Sequence, residues 1–486
     1  MGAIHIRAAL AALLFVLAVP APAQDAPLRE RVEQVLREAG PGTRFGLVVM
    51  TMDGREIVSI APDDRFAPAS NTKLISTAVA FDMLPYDQPD RTGGAAVRLD
   101  EEGGGPPDVV LIGHGDTRLS SAAECVANCL AMLADAVAAR VRTVDDVIGD
   151  DSLFPDERWG PGMSWEDIPT RSGTAASALN LDDNELHLRV SPGAVGERPE
   201  IAGYPYFTID NRVTTVASGG TDLAFDRLPN SRDLRITGTI AAGAEPALLR
   251  LGIDDPAHFA AWRLKALLEA RGVRVVGGVA ARHRPLSASD DPAARKGTPV
   301  PRPPQPEALA KLTPPPLKED LALTNKVSQN LHAELLLRRA GHVAGSGSIA
   351  DGVAAAQAML DRAGVERWRY HFADGSGMST YNRISPRGLA RFLRWTVDQP
   401  WGAAYRETLP IGGVDGTLKR RFAGTPLEGR VFAKTGTLTV ASALSGFMTA
   451  ASGQTLIFSS FANDMPRGAA ATRAVDAALN LIAAEN

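Results

Sequence analysis

Cysteine is scarce in this sequence. Its 486 residues include only two cysteines, Cys125 and Cys129, which are too few to hold a fold together by disulfides. They lie four residues apart in the segment SAAECVANCLAML, which we predict to be helical. This spacing is near the outer limit of Cα separation for a disulfide, so a bridge and a pair of buried thiols both fit. We assign neither cysteine a catalytic role.

A strong net charge is also lacking. The formal net charge of −5 does not provide the basic surface of a nucleic-acid-binding protein, so we expect no nucleic-acid partner. With 45% hydrophobic and 22% charged residues, the composition is that of an ordinary globular protein. A chain of 486 residues is long enough for two or three domains.

Long apolar runs are missing except near the start of the chain. There Arg7 is followed by an apolar run over residues 8–19, then by Pro20 and a small A-P-A triplet ending at Ala23. This pattern is typical of a secretory signal peptide, which we predict over residues 1–23 with cleavage after Ala23. An uncleaved anchor, for which the run is short, and an ordinary buried helix are the alternatives. We expect no transmembrane segment after cleavage.

Two catalytic patterns are absent from the sequence. The eight histidines form no H-E-x-x-H and no close pair, so we predict isolated structural histidines and no zinc site. The G-x-S-x-G of α/β-hydrolases is missing too, and Ser376 in DGSGMS is predicted to lie in a tight turn. We expect neither a metal nor another cofactor.

Periodicity predicts similar elements at the two ends of the chain. A helix over residues 27–39 precedes two strands joined at Asp53-Gly54, a strong hairpin signal. Residues 431–464 predict adjacent strands, which a closing helix follows. Between Met83 and about Leu309, short strands predominate, with one clear helix that ends at Gly272. Residues 283–307 are rich in proline and charge, which predicts a flexible or extended linker.

The stretch APASNTKLIST places Ser70 and Lys73 at the start of an apolar helical run. Residues three apart share a helix face, so the Lys73 amine can reach the Ser70 hydroxyl. Burial lowers the pKa of a lysine, as a general base at neutral pH requires. The helix N-terminus also offers N–H groups to an oxyanion. By itself, the pattern is better explained by a solvated lysine after an N-cap serine.

Two further motifs follow in order along the chain. Residues 328–330 (SQN) come where a helical segment starts, and residues 434–436 (KTG) lie in a predicted strand near the C-terminus. S-x-x-K, S-x-N and K-T-G form the signature set of the penicillin-binding proteins and serine β-lactamases. An ordered triple, with each motif in the expected element, makes a chance match improbable.

With these motifs the chain resembles the class C low-molecular-mass penicillin-binding proteins, the D-alanyl-D-alanine carboxypeptidase/endopeptidases of peptidase family S13. The long gap between Ser70 and Ser328 is diagnostic, since β-lactamases close it in far fewer residues. Similar stretches run through most of the chain, among them GHGDTRLSS, DDSLFPDERWGPGMSWEDIP, DGSGMSTYNRISP and VDGTLKRRF.

The resemblance implies an α/β (α+β) fold. Its catalytic domain would be penicillin-binding protein/serine β-lactamase-like, with an antiparallel sheet flanked by helices, and would comprise residues 24–88 and 308–486. A large, mostly β insertion would occupy residues 89–282, and residues 283–307 would be a proline-rich linker.

The resemblance also implies catalytic roles. Ser70 would be the acylated nucleophile and Lys73 its base. Ser328 and Asn330 would relay the proton and hold the substrate amide. Lys434 would face the terminal carboxylate of the substrate.

The same resemblance implies substrate contacts. Thr435, Gly436 and Thr437 would border the carboxylate, and the N–H groups of Ser70 and Thr437 would form the oxyanion hole. Asp167, in WEDIP, is similar to the family aspartate that receives the free amino group of a diaminopimelate side chain. A turn or capping carboxylate is the alternative for Asp167.

Two positions depart from the family pattern. Gln329 stands where many relatives have Asp or Asn, outside the required chemistry, and Thr380 stands where numerous members have arginine. The departure at Thr380 affects contacts on the substrate side.

We therefore expect an exported, periplasmic serine DD-carboxypeptidase/DD-endopeptidase. It would cleave D-Ala-D-Ala bonds in the stem peptides and cross-links of peptidoglycan and be covalently inhibited by β-lactams. The alternatives are a serine β-lactamase or esterase of the same fold, and a non-catalytic periplasmic module that binds peptidoglycan.

Overall fold

The computed structural model describes residues 26–101, 104–299 and 306–486. The helices in these ranges are α1 (Leu28–Arg37), α2 (Lys73–Met83), α3 (Leu130–Arg140), α4 (Pro256–Glu269), α5 (Leu317–Lys326), α6 (Asn330–Ala344), α7 (Ile349–Arg362), α8 (Pro386–Val397), α9 (Gly402–Glu407) and α10 (Ala471–Ala484). The strands are β1 (Arg44–Thr51), β2 (Glu56–Ile60), β3 (Ala96–Asp100), β4 (Asp108–Ile112), β5 (Thr143–Val144), β6 (Val147–Asp150), β7 (Glu185–Ser191), β8 (Glu200–Gly203), β9 (Thr208–Val216), β10 (Asp222–Asp226), β11 (Asp233–Ala241), β12 (Ala247–Gly252), β13 (Arg274–Val275), β14 (Val279–Arg282), β15 (Ala310–Lys311), β16 (Tyr370–His371), β17 (Arg383–Ile384), β18 (Val431–Leu438), β19 (Ala441–Thr449) and β20 (Thr455–Asn463).

One five-stranded sheet is entirely antiparallel and joins strands from both ends of the chain. Its order is β18-β19-β20-β1-β2. Strand β1 pairs with β20 along its length, from Arg44 opposite Asn463 to Thr51 opposite Leu456. The predicted hairpin at Asp53-Gly54 joins β1 to β2. This sheet, called the catalytic sheet below, requires the first and last strands of the chain to lie side by side.

Helices cover both faces of the catalytic sheet. In β1, Leu47 and Val49 pack in a cluster with α1 and α10, whereas Val48 and Met50 pack in a second cluster with α2, α6 and α8. Successive side chains of a strand point to opposite faces, so a strand buried on both faces is apolar at every position. The expected fold class, an antiparallel sheet flanked by helices, is confirmed.

Between α2 and α5 the chain forms smaller, mostly β layers, called the insertion below. Strands β3 to β15 and two helices lie there, and their apolar side chains form a separate core that runs from Ala95 to Leu312. The expectation of a mostly β insertion is confirmed. Because β15 pairs with β3, residues 310–311 lie in the sheet of the insertion, slightly beyond the predicted boundary at residue 308.

Two residues of the proline-rich segment bond to α7 and the residue before it. Asp290 is 2% exposed, pairs with Arg284 at 2.7 Å and accepts a hydrogen bond at its carbonyl from Ser348 Oγ at 2.6 Å. Arg295 pairs with Asp351 of α7 at 2.5 Å. Charge-assisted bonds of this kind order polar chain without a hydrophobic core. Asp290 and Arg295 thus bond to residues at the start of α7, and residues 300–305 lie outside the described ranges.

The segment around the cysteines also differs from the prediction. Cys125 and Cys129 form a disulfide with their Cα atoms 5.8 Å apart, so they are not free thiols. The helix predicted over this segment begins only at Leu130. Asn128 has a φ of 59°, a left-handed conformation that asparagine tolerates and that a helix cannot include.

The first described helix agrees with the sequence. Helix α1, Leu28–Arg37, lies inside the helix predicted over residues 27–39 and buries Val32 and Leu36. The predicted signal peptide, residues 1–23, lies outside the described ranges. Among the helices within those ranges, none is long and apolar enough to cross a membrane.

Candidate active site

Ser70 and Lys73 lie where a short 3₁₀ turn runs into α2. The turn spans Ala69–Thr72, and Lys73 is the first residue of the helix. Lys73 Nζ lies 2.8 Å from Ser70 Oγ, a hydrogen-bond distance. Helix α2 is buried from Lys73 to Phe81. The structure thus brings the amine and the hydroxyl together inside the protein, as the three-residue spacing predicts.

Two further acceptors surround the Lys73 amine. Nζ donates to Asn330 Oδ1 and to the Ser376 carbonyl, each at 2.6 Å. Asn330 begins α6, and Ser376 lies in the loop between β16 and β17. The amide nitrogen of Asn330 donates to the Ser172 carbonyl at 2.8 Å, which leaves its oxygen facing Lys73. The S-x-x-K and S-x-N motifs therefore meet at one amine.

The Lys73 side chain is wholly enclosed, at 0% exposure. Burial lowers the pKa of Lys73 to about 7, while the nearby carboxyl groups of Asp374 and Glu334 act to raise it. Desolvation disfavours the ammonium form, and the two acids limit how far the pKa falls. An amine that is partly deprotonated at neutral pH can accept a proton from a serine hydroxyl.

Ser328 and Lys434 form a second contact beside the first. Lys434 Nζ donates to Ser328 Oγ at 2.9 Å and to the Thr435 carbonyl at 2.8 Å. Lys434 is 0% exposed, and both burial and the neighbouring charge of Lys73 lower the pKa of Lys434 well below its usual value. Ser328, between α5 and α6, has a φ of 64°, a strained conformation that is common at functional sites.

The K-T-G segment lies on β18, at the edge of the catalytic sheet. A Cβ atom on Gly436 would lie 2.6 Å from the Pro68 carbonyl oxygen and 3.0 Å from the Ser70 nitrogen, so only glycine lets the strand approach the Ser70 turn this closely. Thr437 is exposed, and Thr435 Oγ1 donates to Thr417 Oγ1 at 2.8 Å. From Lys434 onward, no strand in the described ranges pairs with the outer edge of β18.

Asp167 lies apart from this cluster. It ends a 3₁₀ turn in the insertion, and burial and the adjacent Glu166 raise the pKa of its carboxyl group. No hydrogen bond or ion pair among the described residues joins it to Ser70 or Lys73. Its role toward a substrate amine stays a prediction. Thr380 Oγ1 donates to the Gly162 carbonyl of the insertion at 3.0 Å.

The sequence did not single out several residues that support the site. Asn71 donates to the Lys434 carbonyl at 2.8 Å and ties the Ser70 turn to β18. Glu334 lies one helical turn after Asn330, and its acidity in the apolar run of α6 was the signal that could have identified it. Thr417 is near in space but far in sequence, so no local pattern marks it. Among the described residues, no three His, Cys, Asp or Glu side chains cluster to hold a metal ion.

A lysine behind a serine, a second serine and asparagine opposite them, and an edge strand with K-T-G define the penicillin-binding and serine β-lactamase class of folds. Within that class the chain belongs to the D-Ala-D-Ala carboxypeptidase 3 (S13) family, whose sequence profile matches residues 28–486. The protein is therefore a hydrolase, a serine-type D-Ala-D-Ala carboxypeptidase.

Individual relatives agree with this placement. The chain is 32% identical over 450 residues to a D-alanyl-D-alanine carboxypeptidase of Actinomadura sp. (strain R39), covering 88% of this chain and 79% of that protein. It is 23% identical over 448 residues to D-alanyl-D-alanine carboxypeptidase DacB of Haemophilus influenzae, covering 90% and 89%. The crystal structure of penicillin binding protein 4 (dacB) from Haemophilus influenzae has the same fold, with a TM-score of 0.76, 22% identity and coverage of 92% of this chain and 98% of that chain.

Proposed function

We propose that this protein is an exported serine DD-carboxypeptidase/DD-endopeptidase that cleaves peptidoglycan stem peptides and D-Ala cross-links through an acyl-enzyme on Ser70. The observation that carries the proposal is the buried Lys73 amine, 2.8 Å from Ser70 Oγ, with a pKa lowered to about 7. A serine hydroxyl is a weak nucleophile until a neighbouring base removes its proton.

Acylation starts when neutral Lys73 takes the Ser70 proton. Ser70 Oγ then bonds to the carbonyl carbon of the D-Ala-D-Ala bond, and the N–H groups of Ser70 and Thr437 stabilise the oxyanion. The C–N bond breaks as the proton taken up by Lys73 passes through the Ser328 hydroxyl to the leaving amine, which returns Lys73 to its neutral form. The close approach of Gly436 to the Ser70 nitrogen supports this pairing of N–H groups.

Deacylation reverses the proton path. Water attacks the acyl carbon, its proton passes to Lys73, and Ser70 Oγ recovers a proton as the ester bond breaks. Lys73 can be the base for both steps, because its amine contacts Ser70 directly. No cofactor is required for this sequence of steps.

The surroundings of the site favour an extended peptide with a free terminal carboxylate. From Lys434 onward, the outer edge of β18 pairs with no strand in the described ranges and can add a peptide as another strand. Lys434 with Thr435 and Thr437 can receive the carboxylate, as in other charge-assisted pairs. The carboxylate of a β-lactam would bind in the same way. Asp167 would receive a side-chain amine of the stem peptide. Because the substrate is a cell-wall peptide, we place the enzyme in the periplasm.

The decisive experiment is labelling with a fluorescent penicillin. Wild type, Ser70→Ala and the control Ser452→Ala, which alters an exposed serine, are incubated and analysed by gel and intact mass. We expect a stable covalent adduct in wild type and in Ser452→Ala, and none in Ser70→Ala. An absence of labelling in folded wild type contradicts the proposal and favours a module that only binds peptidoglycan.

A β-lactamase of the same fold would behave differently in the same assay. It would form the adduct only transiently and would turn over a chromogenic cephalosporin rapidly. Release of D-alanine from a D-Ala-D-Ala peptide, with slow cephalosporin turnover, supports the peptidase. Cleavage of a cross-linked dimer of stem peptides tests the endopeptidase activity separately.

A further inference from the structure

Two carboxyl groups lie behind Lys73 and belong to none of the three motifs. Glu334 is on α6, one turn after Asn330, and Asp374 is 4% exposed in the loop between β16 and β17. Glu334 also lines a cavity between α6 and the insertion, together with Asn330. Glu334 is half-buried beside the enclosed Lys73, so its carboxyl group needs hydrogen-bond partners.

The partner of Glu334 is the backbone of the same loop. Gly375 N–H donates to Glu334 Oε2 at 3.0 Å, and Ser376 N–H donates to Oε1 at 2.8 Å. The carbonyl of Ser376 accepts a hydrogen bond from Lys73 Nζ at 2.6 Å. One short piece of backbone is therefore held by Glu334 on its N–H side and contacts the lysine on its C=O side.

This backbone needs an anchor because it contains two glycines. Gly377 has a φ of 88°, and a Cβ atom there would lie 1.9 Å from the Ala69 carbonyl oxygen, so the loop packs directly on the Ser70 turn. Asp374 fixes the second half of the loop by accepting from Gly377 N–H at 2.9 Å. Glu334 fixes the first half, where the Ser376 carbonyl lies.

The direction of the Lys73 lone pair depends on that carbonyl. A neutral amine has two N–H bonds and one lone pair. If its two N–H bonds point to Asn330 Oδ1 and to the Ser376 carbonyl, the lone pair faces Ser70 Oγ. Without a fixed Ser376 carbonyl, the amine can rotate and direct an N–H bond at Ser70 instead.

We propose that Glu334 is a positioning residue, which holds the Ser376 carbonyl in place and thereby directs the lone pair of Lys73 at Ser70. The inference depends on the proposed roles of Ser70 and Lys73. It assigns Glu334 no contact with substrate, and it predicts that Glu334 affects the rate of acylation rather than the binding of ligand.

Several charged groups face Lys73 and Glu334 and must be considered in any test with pH. Asp374 from the loop and Lys434 from β18 interact with Lys73, and Asp374 and Arg338 of α6 interact with Glu334. Glu157 and Arg158 of the insertion line the same cavity, but the charges that act on the pKa of Lys73 are those of Asp374 and Glu334. Burial and Asp374 raise the pKa of Glu334, and Glu334 in turn raises the pKa of Lys73. Removing the charge of Glu334 therefore lowers the pKa of Lys73. As a result, the acylation rate should begin to rise at a lower pH than in wild type.

The test compares Glu334→Gln, Glu334→Asp and a control, Glu157→Gln. Glu157 lines the same cavity, but its carboxylate accepts from Ile349 N–H and not from the loop. For each full-length variant, the rate of acylation by fluorescent penicillin is measured from pH 5 to 9 and divided by the number of sites labelled at the endpoint. Thermal unfolding is recorded in parallel.

We expect Glu334→Gln to acylate at least about 10-fold more slowly per site, since small misplacements of reacting groups have large effects. The pH at which the acylation rate of this variant reaches half its maximum (the midpoint) should be lower than in wild type. Glu334→Asp should be slower than wild type but keep the midpoint, because the charge remains. Glu157→Gln should match wild type in rate and midpoint.

Two outcomes overturn the inference. The first is a Glu334→Gln variant whose acylation rate per site and pH midpoint equal those of wild type while its unfolding temperature falls. Glu334 would then stabilise the fold without positioning Lys73. The second is an equal loss of rate in Glu157→Gln. Failure of wild type to label, or labelling of Ser70→Ala, instead contradicts the proposed function and is seen before any Glu334 variant is compared.

Discussion

The surroundings of Lys73 and of Lys434 differ, although the two side chains are equally buried at 0% exposure. Burial lowers both pKa values. Around Lys73, the carboxyl groups of Asp374 and Glu334 oppose the fall, and the pKa is about 7. The charged group that acts on Lys434 is Lys73, which lowers the pKa of Lys434 further.

This difference separates two tasks that lysine can perform. A base must exchange its proton near the working pH, which the acids beside Lys73 allow. Among the described residues, no carboxyl group acts on Lys434 in this way, and under the proposed function the substrate carboxylate would supply the counter-charge. We expect binding of that carboxylate to raise the pKa of Lys434 and to be coupled to uptake of a proton.

The largest effect should come from removing the base. We expect Lys73→Met to lower the rate of acylation by about 10³-fold, because general-base catalysis by a positioned side chain contributes about 10² to 10⁴. The rate of labelling by fluorescent penicillin measures it, with the exposed Lys318→Met as the matched control. Loss of less than ten-fold in a folded Lys73→Met variant would show that another group is the base.

A smaller and more selective effect should follow from Lys434→Met. We expect kcat/KM to fall by about 10-fold to 100-fold for D-Ala-D-Ala peptides with a free carboxylate, since a charge-assisted bond to a carboxylate is lost. Peptides with a C-terminal amide should lose much less. The control is Lys419→Met, an exposed lysine. If kcat/KM falls equally for peptides with a free carboxylate and for peptides with a C-terminal amide, Lys434 does not recognise the carboxylate.

The smallest effect is the pH dependence of the wild-type protein. Protonated Lys73 cannot accept the Ser70 proton, so acylation should rise with pH and level off above about 7, the pKa of Lys73. Below that pH the rate should change about ten-fold per unit, as for a single titrating base. Labelling rates between pH 5.5 and 8.5 measure this rise of the acylation rate with pH. A flat profile, or one that falls with rising pH, contradicts the assignment of Lys73.

Local patterns predicted the ends of the molecule well. The apolar run of β1 and the hairpin at Asp53-Gly54 depend on neighbours in sequence, and the structure has both. The segment before Leu130 was predicted incorrectly because the left-handed Asn128 interrupts a pattern that is apolar enough for a helix. The composition of residues 283–299 did not indicate the ion pair of Arg295 with Asp351, because it joins residues distant in sequence.

The site shows the same division between near and distant contacts. The spacing of Ser70 and Lys73 predicts their contact, which lies within one helical turn. The bonds of Glu334 to residues 375–376 and of Asn71 to Lys434 join separate elements. No periodicity within one segment can indicate such bonds, so these supporting residues became visible only in three dimensions.

The pairing of β1 with β20 has a consequence for the order in which the protein matures. Strand β1 cannot complete its hydrogen bonds until β20, some four hundred residues later, has emerged and docked. The insertion has its own core and can collapse earlier, since domains tend to fold as units during synthesis. Ser70 is therefore synthesised long before Lys434, and the bond that ties the Ser70 turn to β18, from Asn71 to the Lys434 carbonyl, can form only after the last strands have emerged.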